Sequence, residues 1–97
     1  MKVVYTDPAL RDLEEITAWL SKHYPRLGRS VERRLRIVVG HIARWPESMR
    51  RSKHRPDVRV APLGRYPYKI FYRVSYDALE ILHIHHTSRQ PWDEEQV

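Results

Sequence analysis

The sequence predicts an α+β fold in which an antiparallel helix hairpin packs on one face of a four-stranded, mainly antiparallel sheet. A short β-prone run opens the chain, two amphipathic helical stretches follow with few residues between them, and three β-like segments fill the second half. Each helix has one apolar face, and a sheet can cover both. The 97 residues suit one domain, so we assign 1–97 to a single domain with a short acidic tail at about 90–97.

The first strand is predicted at residues 3–5, where β-branched and aromatic side chains are consecutive. A helix should begin at Asp7 and Pro8, because Asp caps free amides and Pro needs no partner for an N–H in the first turn. This helix should end near His23, because Pro25 disfavours helical backbone in the residue before it. Its predicted apolar stripe is Leu10, Leu13, Ile16 or Thr17, and Leu20.

A second, longer helix is predicted over about 27–43, and Pro46 ends it. Its apolar stripe is Leu27, Val31, Leu35, Val38 and Ile42, with Trp45 continuing the spacing. Trp19 and Trp45 lie at or near the two stripes, so we expect both to pack between helices and sheet.

Residues 46–57 form a basic loop without apolar periodicity. Strands are predicted around Val58 and Val60, over residues 68–74, and over residues 79–86, with turns between them. The three form an antiparallel meander, and the first strand joins an edge of the sheet after the helices cross over. The sheet face away from the helices should stay partly open, and Lys69, Phe71 and Arg73 on it indicate a binding surface.

Charge is concentrated in the middle of the chain. Residues 26–73 hold 14 basic and three acidic residues, a net charge of +11, whereas the whole chain carries +6. Arg outnumbers Lys by 14 to 4, and Arg forms bidentate contacts with carboxylates and phosphates. An acidic partner is therefore expected, whether nucleic acid, ribosome, anionic membrane or protein, with a merely solvated basic surface as the alternative.

Several classes of function are excluded by composition. The chain has no cysteine, so disulfides, thiolate zinc sites and cysteine nucleophiles are absent, and three glycines provide no phosphate-binding loop. We expect no cofactor. No apolar run reaches the roughly 20 residues of a membrane span, and Asp7 and Pro8 come too early for a signal peptide. A cytoplasmic protein that does not bind membranes is the resulting prediction.

Four segments at consistent spacing resemble the RelE/ParE superfamily of toxins from type II toxin–antitoxin modules, and its ParE-like branch in particular. They are VVYTDPALRDLEEITAWL, the Trp45-Pro46 pair, YPYKIFYRV and EILHIHHTSRQPW, which together span nearly the whole chain. The resemblance implies a growth-inhibiting toxin that a cognate antitoxin neutralises in a hetero-oligomeric complex. ParE-like toxins poison DNA gyrase by binding, which is our leading prediction, whereas RelE-like toxins cleave mRNA on the ribosome. A basic nucleic-acid-binding module is a third reading.

If the chain is a metal-independent nuclease, the resemblance places catalysis on four residues: Arg65, Lys69, His86 and Arg89. His86 has the strand-end position of the family histidine, and histidine as a residue type suits acid–base chemistry near neutral pH. The tail lacks the tyrosine of many nuclease relatives, and the indole of Trp92 cannot exchange a proton usefully. This departure favours the gyrase-binding reading.

His83 and His85 share a strand face, but two histidines alone make a weak metal site, and no acidic residue is plainly placed to complete it. We therefore predict no metal. The aromatic strand and its neighbours are the candidates for antitoxin binding: Tyr66, Tyr68, Phe71, Tyr72 and Arg73. Candidates for target binding are Arg29, Arg33, Arg36, Arg50, Arg51, Lys53, Arg55 and Trp92. The basic members of this second set could equally be solvated, and Trp92 could instead pin the tail to the body.

Overall fold

Six elements follow one another in the predicted order in the computed structural model, which describes residues 1–87. They are β1 (Lys2–Tyr5), α1 (Asp7–His23), α2 (Pro25–Arg44), β2 (Arg59–Leu63), β3 (Tyr66–Ser75) and β4 (Ala78–His86). The strands form one sheet in the order β1-β4-β3-β2. The pairs β2–β3 and β3–β4 are antiparallel, as expected of a meander, and β1 lies parallel to β4 at the edge. The predicted α+β fold is confirmed.

The start of α1 differs from the prediction by one residue. Thr6, not Asp7, is the N-cap, and its hydroxyl accepts from the backbone N–H of Ala9 at 3.4 Å. The same hydroxyl reaches the β4 carbonyls of Ile81 and Leu82, at 2.9 and 3.1 Å. Thr6 therefore ties the first turn of α1 to the sheet, which a cap at Asp7 would not do.

Proline sets the boundaries of both helices. Tyr24 is at once the C-cap of α1 and the residue before α2, so a single residue separates the helices. The second helix begins at Pro25, two residues earlier than predicted, because proline suits the first turn of a helix. At its other end, Arg44 is the last helical residue and Pro46 follows shortly after.

The main core lies between the helices and one face of the sheet. Both predicted stripes are partly wrong in phase: Leu10 and Leu27 are exposed, while Ala9 and Val39 are buried. The buried members of this main core are Ala9, Leu20, Val31, Leu35, Val39, Ile42, Ala61, Leu63, Tyr68, Ile70, Tyr72, Leu79, Ile81 and Ile84. The expectation that Trp19 and Trp45 pack in the core is also wrong, because they are 44% and 56% exposed.

A second, smaller cluster occupies the sheet face away from the helices. Val58, Val60 and Phe71 are buried there, with Leu82 packed against them. The loop after α2 lies along the outer edge of β2, where Val60 N–H donates to the carbonyl of Arg50 at 3.0 Å. The predicted open face is therefore partly covered. Within the described residues, no helix is long and apolar enough to cross a membrane.

Candidate functional site

Two described members of the predicted nuclease set, His86 and Lys69, lie on opposite faces of the sheet. His86 is the register partner of Tyr68, and Lys69 is the partner of His85. Directly paired residues share a sheet face and neighbouring residues in a strand point to opposite faces. His86 therefore lies on the helix side with Tyr68, while Lys69 lies on the other side. Arg89 lies outside the described residues.

His86 contributes to a cleft beside α1 rather than to the basic face. Its ring meets the ring of Tyr68 edge-on, with centroids 5.1 Å apart. The cleft measures about 430 Å³ and its lining includes Asp12, Glu15 and Trp19 from α1. Carboxylates and aromatic rings thus surround His86. This environment favours contacts that combine polar and apolar groups, and it does not favour stabilisation of a negatively charged phosphorane.

Arg65 lies at the turn between β2 and β3, next to Gly64, whose φ of 64° suits glycine. Its guanidinium donates to the hydroxyl of Tyr66 at 3.3 Å and lies 5.3 Å from the centre of that ring. This hydrogen bond is the main reason that the pKa of Tyr66 lies below its ordinary value, with smaller contributions from Ser30 and Arg34. The turn is thus a small basic cluster on the surface.

Three of the five antitoxin candidates are inaccessible. Tyr68, Phe71 and Tyr72 are at most 5% exposed, so the expectation of an exposed aromatic strand is wrong for them. Strand alternation places Tyr68 and Tyr72 in the main core, and the loop-side cluster buries Phe71. Tyr66 is half-buried and remains accessible.

The fifth candidate, Arg73, is held by two carboxylates. Its guanidinium lies 2.8 Å from Glu80 and 3.8 Å from Asp57. Asp57 also accepts from Arg55, and this hydrogen bond is the main cause of the lowered pKa of Asp57. Acidic residues therefore neutralise part of the positive charge on this face.

The remaining basic candidates form two surfaces. Arg29, Arg33 and Arg36 are exposed along α2, and Arg36 pairs with Glu32 at 3.4 Å. Arg50 and Arg51 lie in the loop after α2, which is anchored because Ser52 N–H donates to the carbonyl of Val58 at 2.7 Å. Lys53 and Arg55 lie in the same loop. Trp92 lies outside the described residues.

A group of exposed apolar residues near the helix junction was not predicted from the sequence as a functional surface. Trp19, Tyr24 and Leu27 are 44%, 54% and 39% exposed. The Trp19 ring stacks on His23 with centroids 4.6 Å apart and lies 5.6 Å from Tyr24. Helical spacing places these residues near the apolar stripes, so it offers no signal that distinguishes them from core residues.

An apolar groove runs between the helices and the sheet. It measures about 300 Å³, and residues of both helices and of three strands line it. Leu13, Leu20 and Leu35 form its helical wall, and Leu63, Tyr68 and Ile84 form its sheet wall. The groove and the cleft that contains His86 share Ile16, Tyr68 and Ile84, so the two hollows adjoin along α1.

The expectation that no acidic residue accompanies the histidine pair is wrong. Asp12 from α1 lies with His83 and His85, so an acidic residue does accompany the two histidines. The Asp12 Oδ2 atom is 3.2 Å from His83 Nδ1. These residues are 71 positions apart in the chain, and no local pattern in the sequence indicates their contact.

Comparison with known proteins agrees with this architecture. Residues 3–91 match the family model of the ParE toxin of the type II toxin–antitoxin system parDE. The chain is 35% identical over 89 residues to Y4kP of Sinorhizobium fredii, a proposed toxin, and the match covers 92% of this chain and 91% of that protein. A structure of the chromosomal ParDE system from P. aeruginosa superposes with a TM-score of 0.70 at 22% identity, over 91% of this chain and 97% of that chain. The chain therefore belongs to the ParE family of type II toxin–antitoxin toxins.

Proposed function

We propose that this toxin arrests growth in the cytoplasm by binding and poisoning DNA gyrase, and that a cognate antitoxin neutralises it. The observation that favours binding over catalysis is the separation of His86 from Lys69 on opposite faces of the sheet. A metal-independent nuclease needs its acid, base and phosphate-stabilising groups around one phosphate. His86 and Lys69, on opposite faces of the sheet, do not provide that convergence.

The basic surface is the proposed contact with the target. Arg29 and Arg33 on α2 are exposed, and the central part of the chain carries a net charge of +11. A positive surface of this size accelerates the approach of an acidic partner and fixes its orientation. The anchored loop that contains Arg50 and Arg51 presents its charges from an ordered backbone, which lowers the entropy lost on binding.

The antitoxin is proposed to dock along α1, over the groove and its neighbouring cleft. Trp19, Tyr24 and Leu27 supply exposed apolar surface at the helix junction. Aromatic anchors beside an apolar groove are typical of surfaces that accept an amphipathic segment. Glu32 and Arg29 both line the groove, so charged groups are available at its rim.

The primary experiment tests the target. Purified full-length toxin is added to gyrase with relaxed plasmid, and supercoiling and trapped cleavage complexes are measured. We expect inhibition by the wild type and by His86→Gln, and weaker inhibition by the double variant Arg29→Glu, Arg33→Glu. Full supercoiling activity at excess wild-type toxin would contradict the gyrase proposal.

The nuclease alternative is tested in cells by mapping transcript 5′ ends after a short pulse of toxin expression without the antitoxin. We expect growth arrest without cuts phased to codons, and equal arrest by His86→Gln. Codon-phased cuts that disappear in His86→Gln would establish the nuclease instead.

The antitoxin surface is tested with a matched pair of exposed tryptophans. Trp19→Ala should weaken binding of the cognate antitoxin in calorimetry. Trp45→Ala should leave it unchanged, because Trp45 is the C-cap of α2 and lines neither the groove nor the cleft. Equal effects of the two substitutions would remove the α1 surface from the proposal.

A further inference from the structure

We propose that Asp12, His83 and His85 form a binding site for a divalent first-row metal ion, with Zn²⁺ as the ion that fits best. One ligand atom from each of the three side chains lies within 4.8 Å of the others. Two imidazoles and a carboxylate are a ligand set that Zn²⁺ accepts, with bonds of about 2.0–2.2 Å. No part of the toxin–antitoxin function proposed above requires this site.

The fold brings the ligands together at a gap in the sheet edge. The strand β1 pairs with β4 only from Ala78 to Ile81, whereas β4 continues to His86. Beyond that point α1 lies beside the edge, and Asp12 Oδ2 accepts the backbone N–H of Ile84 at 3.0 Å. The carboxylate is therefore positioned by the backbone before any ion arrives.

The two histidines are placed by the regular part of β4. His83 and His85 are two residues apart, and their rings lie 5.4 Å apart between centroids. His85 also meets the ring of Phe71 edge-on, with centroids 6.2 Å apart. Because Phe71 is buried and held by its neighbours, its contact with the His85 ring limits the orientations of that ring.

The distances suit a shared ion. In a tetrahedral site with bonds of about 2.1 Å, neighbouring ligand atoms are about 3.4 Å apart. Asp12 Oδ2 and His83 Nδ1 are already 3.2 Å apart, so an ion can replace the proton between them with little movement. The longest separation in the set is at most 4.8 Å, so the ligand atoms must approach by up to about 1.4 Å to reach that spacing.

Burial and access are also appropriate. The side chains of His83 and Asp12 are 22% and 21% exposed, so they are partly desolvated but reachable. The cleft of about 430 Å³ opens beside Asp12 and His85, and Glu15 lines it as well. The fourth coordination position can therefore hold water, as in zinc sites with three protein ligands.

The rival explanation is that Asp12 only caps the edge of the sheet, through Ile84 and His83. The two explanations differ in what they predict for Asp12→Asn. The amide oxygen can still accept the Ile84 N–H, so an edge cap largely survives, but a neutral amide is a poor ligand for Zn²⁺.

The test is calorimetric titration of the full-length chain with zinc chloride. We expect one ion per chain, and a loss of affinity of at least about tenfold in His83→Asn, His85→Asn and Asp12→Asn. His41→Asn is the matched control, because His41 is exposed on α2, and it should bind as the wild type does. Titration with Co²⁺ should give the visible absorption of a four-coordinate ion in the wild type and lose it in the three variants.

Thermal melts keep the result interpretable if a variant folds poorly. An ion that binds only the folded chain raises the midpoint of unfolding, and at a fixed ion concentration the rise grows with the logarithm of the affinity. Zn²⁺ should raise the midpoint for the wild type and for His41→Asn, but not for His85→Asn. The proposal is overturned if the wild type takes up no stoichiometric ion, or if Asp12→Asn or the histidine variants bind Zn²⁺ with unchanged affinity.

Discussion

The hydroxyl of Tyr72 offers a sharp test of how the loop after α2 is joined to the core. Tyr72 is 0% exposed, and its hydroxyl donates to the carbonyl of Pro46 at 2.7 Å. Replacing it with Phe keeps the ring and removes only this bond. The net loss of a hydrogen bond is about 0.5–1.5 kcal/mol, and an acceptor left without a partner adds to it.

Pro46 is only partly buried, so water can restore part of the lost interaction. We therefore expect Tyr72→Phe to lower the free energy of unfolding by about 1–2 kcal/mol. For a domain of this size that is a fall in melting temperature of roughly 5–15 °C. Tyr76→Phe is the control, because Tyr76 is 100% exposed and its loss of a hydroxyl should change little.

The pH dependence gives the same substitution a second readout. Burial raises the pKa of Tyr72 above its ordinary value of 10.0, although the nearby charge of Arg59 opposes this. The folded chain then holds the proton more tightly than the unfolded chain. The resulting contribution to the free energy of unfolding is fully present below about pH 10, and it falls as pH rises towards the raised pKa. Phe at this position cannot lose a proton. The stability difference between wild type and Tyr72→Phe should therefore shrink above about pH 10.

Urea denaturation at neutral pH and above about pH 10 measures both effects. A Tyr72→Phe variant as stable as the wild type at neutral pH would show that the bond to Pro46 contributes nothing. A difference that stays constant or grows with pH would refute the assignment of the raised pKa to Tyr72. Burial raises the pKa of Tyr5 as well, so the wild type and both variants should share part of the alkaline loss.

Two further substitutions test the fold. Thr6→Ala should cost about 1 kcal/mol by removing the cap of α1, whereas Thr17→Ala, at an exposed position within the same helix, should change thermal stability little. Phe71→Ala should cost about 3–5 kcal/mol in urea denaturation because Phe71 is 2% exposed, and a near-neutral result would show that its cluster is not packed. Reduced antitoxin binding by a Phe71 variant would for that reason report lost folding, not a lost contact.

The elements were predictable because their signals are local. Proline at 25 and 46 fixes the helix ends, and aromatic and β-branched residues mark β3. The phase of α1 was harder, since Leu10 and Ala9 are neighbours and hydrophobicity favours the larger one. The sheet buries Ala9 instead, and Leu10 remains 45% exposed. Propensity and spacing do not determine which of two adjacent faces the tertiary structure covers.

The candidate site was predictable only where it depends on adjacent residues. The sharing of a face by His83 and His85 follows from their separation by two and is confirmed by their ring contact. The accompanying carboxylate comes from Asp12, which the topology brings to the end of β4. The exposure of Trp19 likewise depends on how far the sheet extends beneath α1, which is a property of the assembled fold.

One bulge in β4 explains why the nuclease set is split. The register passes from the pair Phe71–His83 to the pair Tyr72–Ile81, so Leu82 is an extra residue on its strand. Unbroken alternation from Leu79 and Ile81 would put His86 on the face away from the helices, together with Lys69. The extra residue reverses the second half of the strand.

That reversal has two consequences for chemistry. Ile84 turns into the main core with Ile81, which accounts for the burial of two isoleucines an odd number of residues apart. His86 then lies on the helix side, while His83 and His85 lie on the opposite face beside Phe71. A single inserted residue thus separates His86, the histidine expected to act on a phosphate, from Lys69. It also places the other two histidines where α1 can supply a carboxylate.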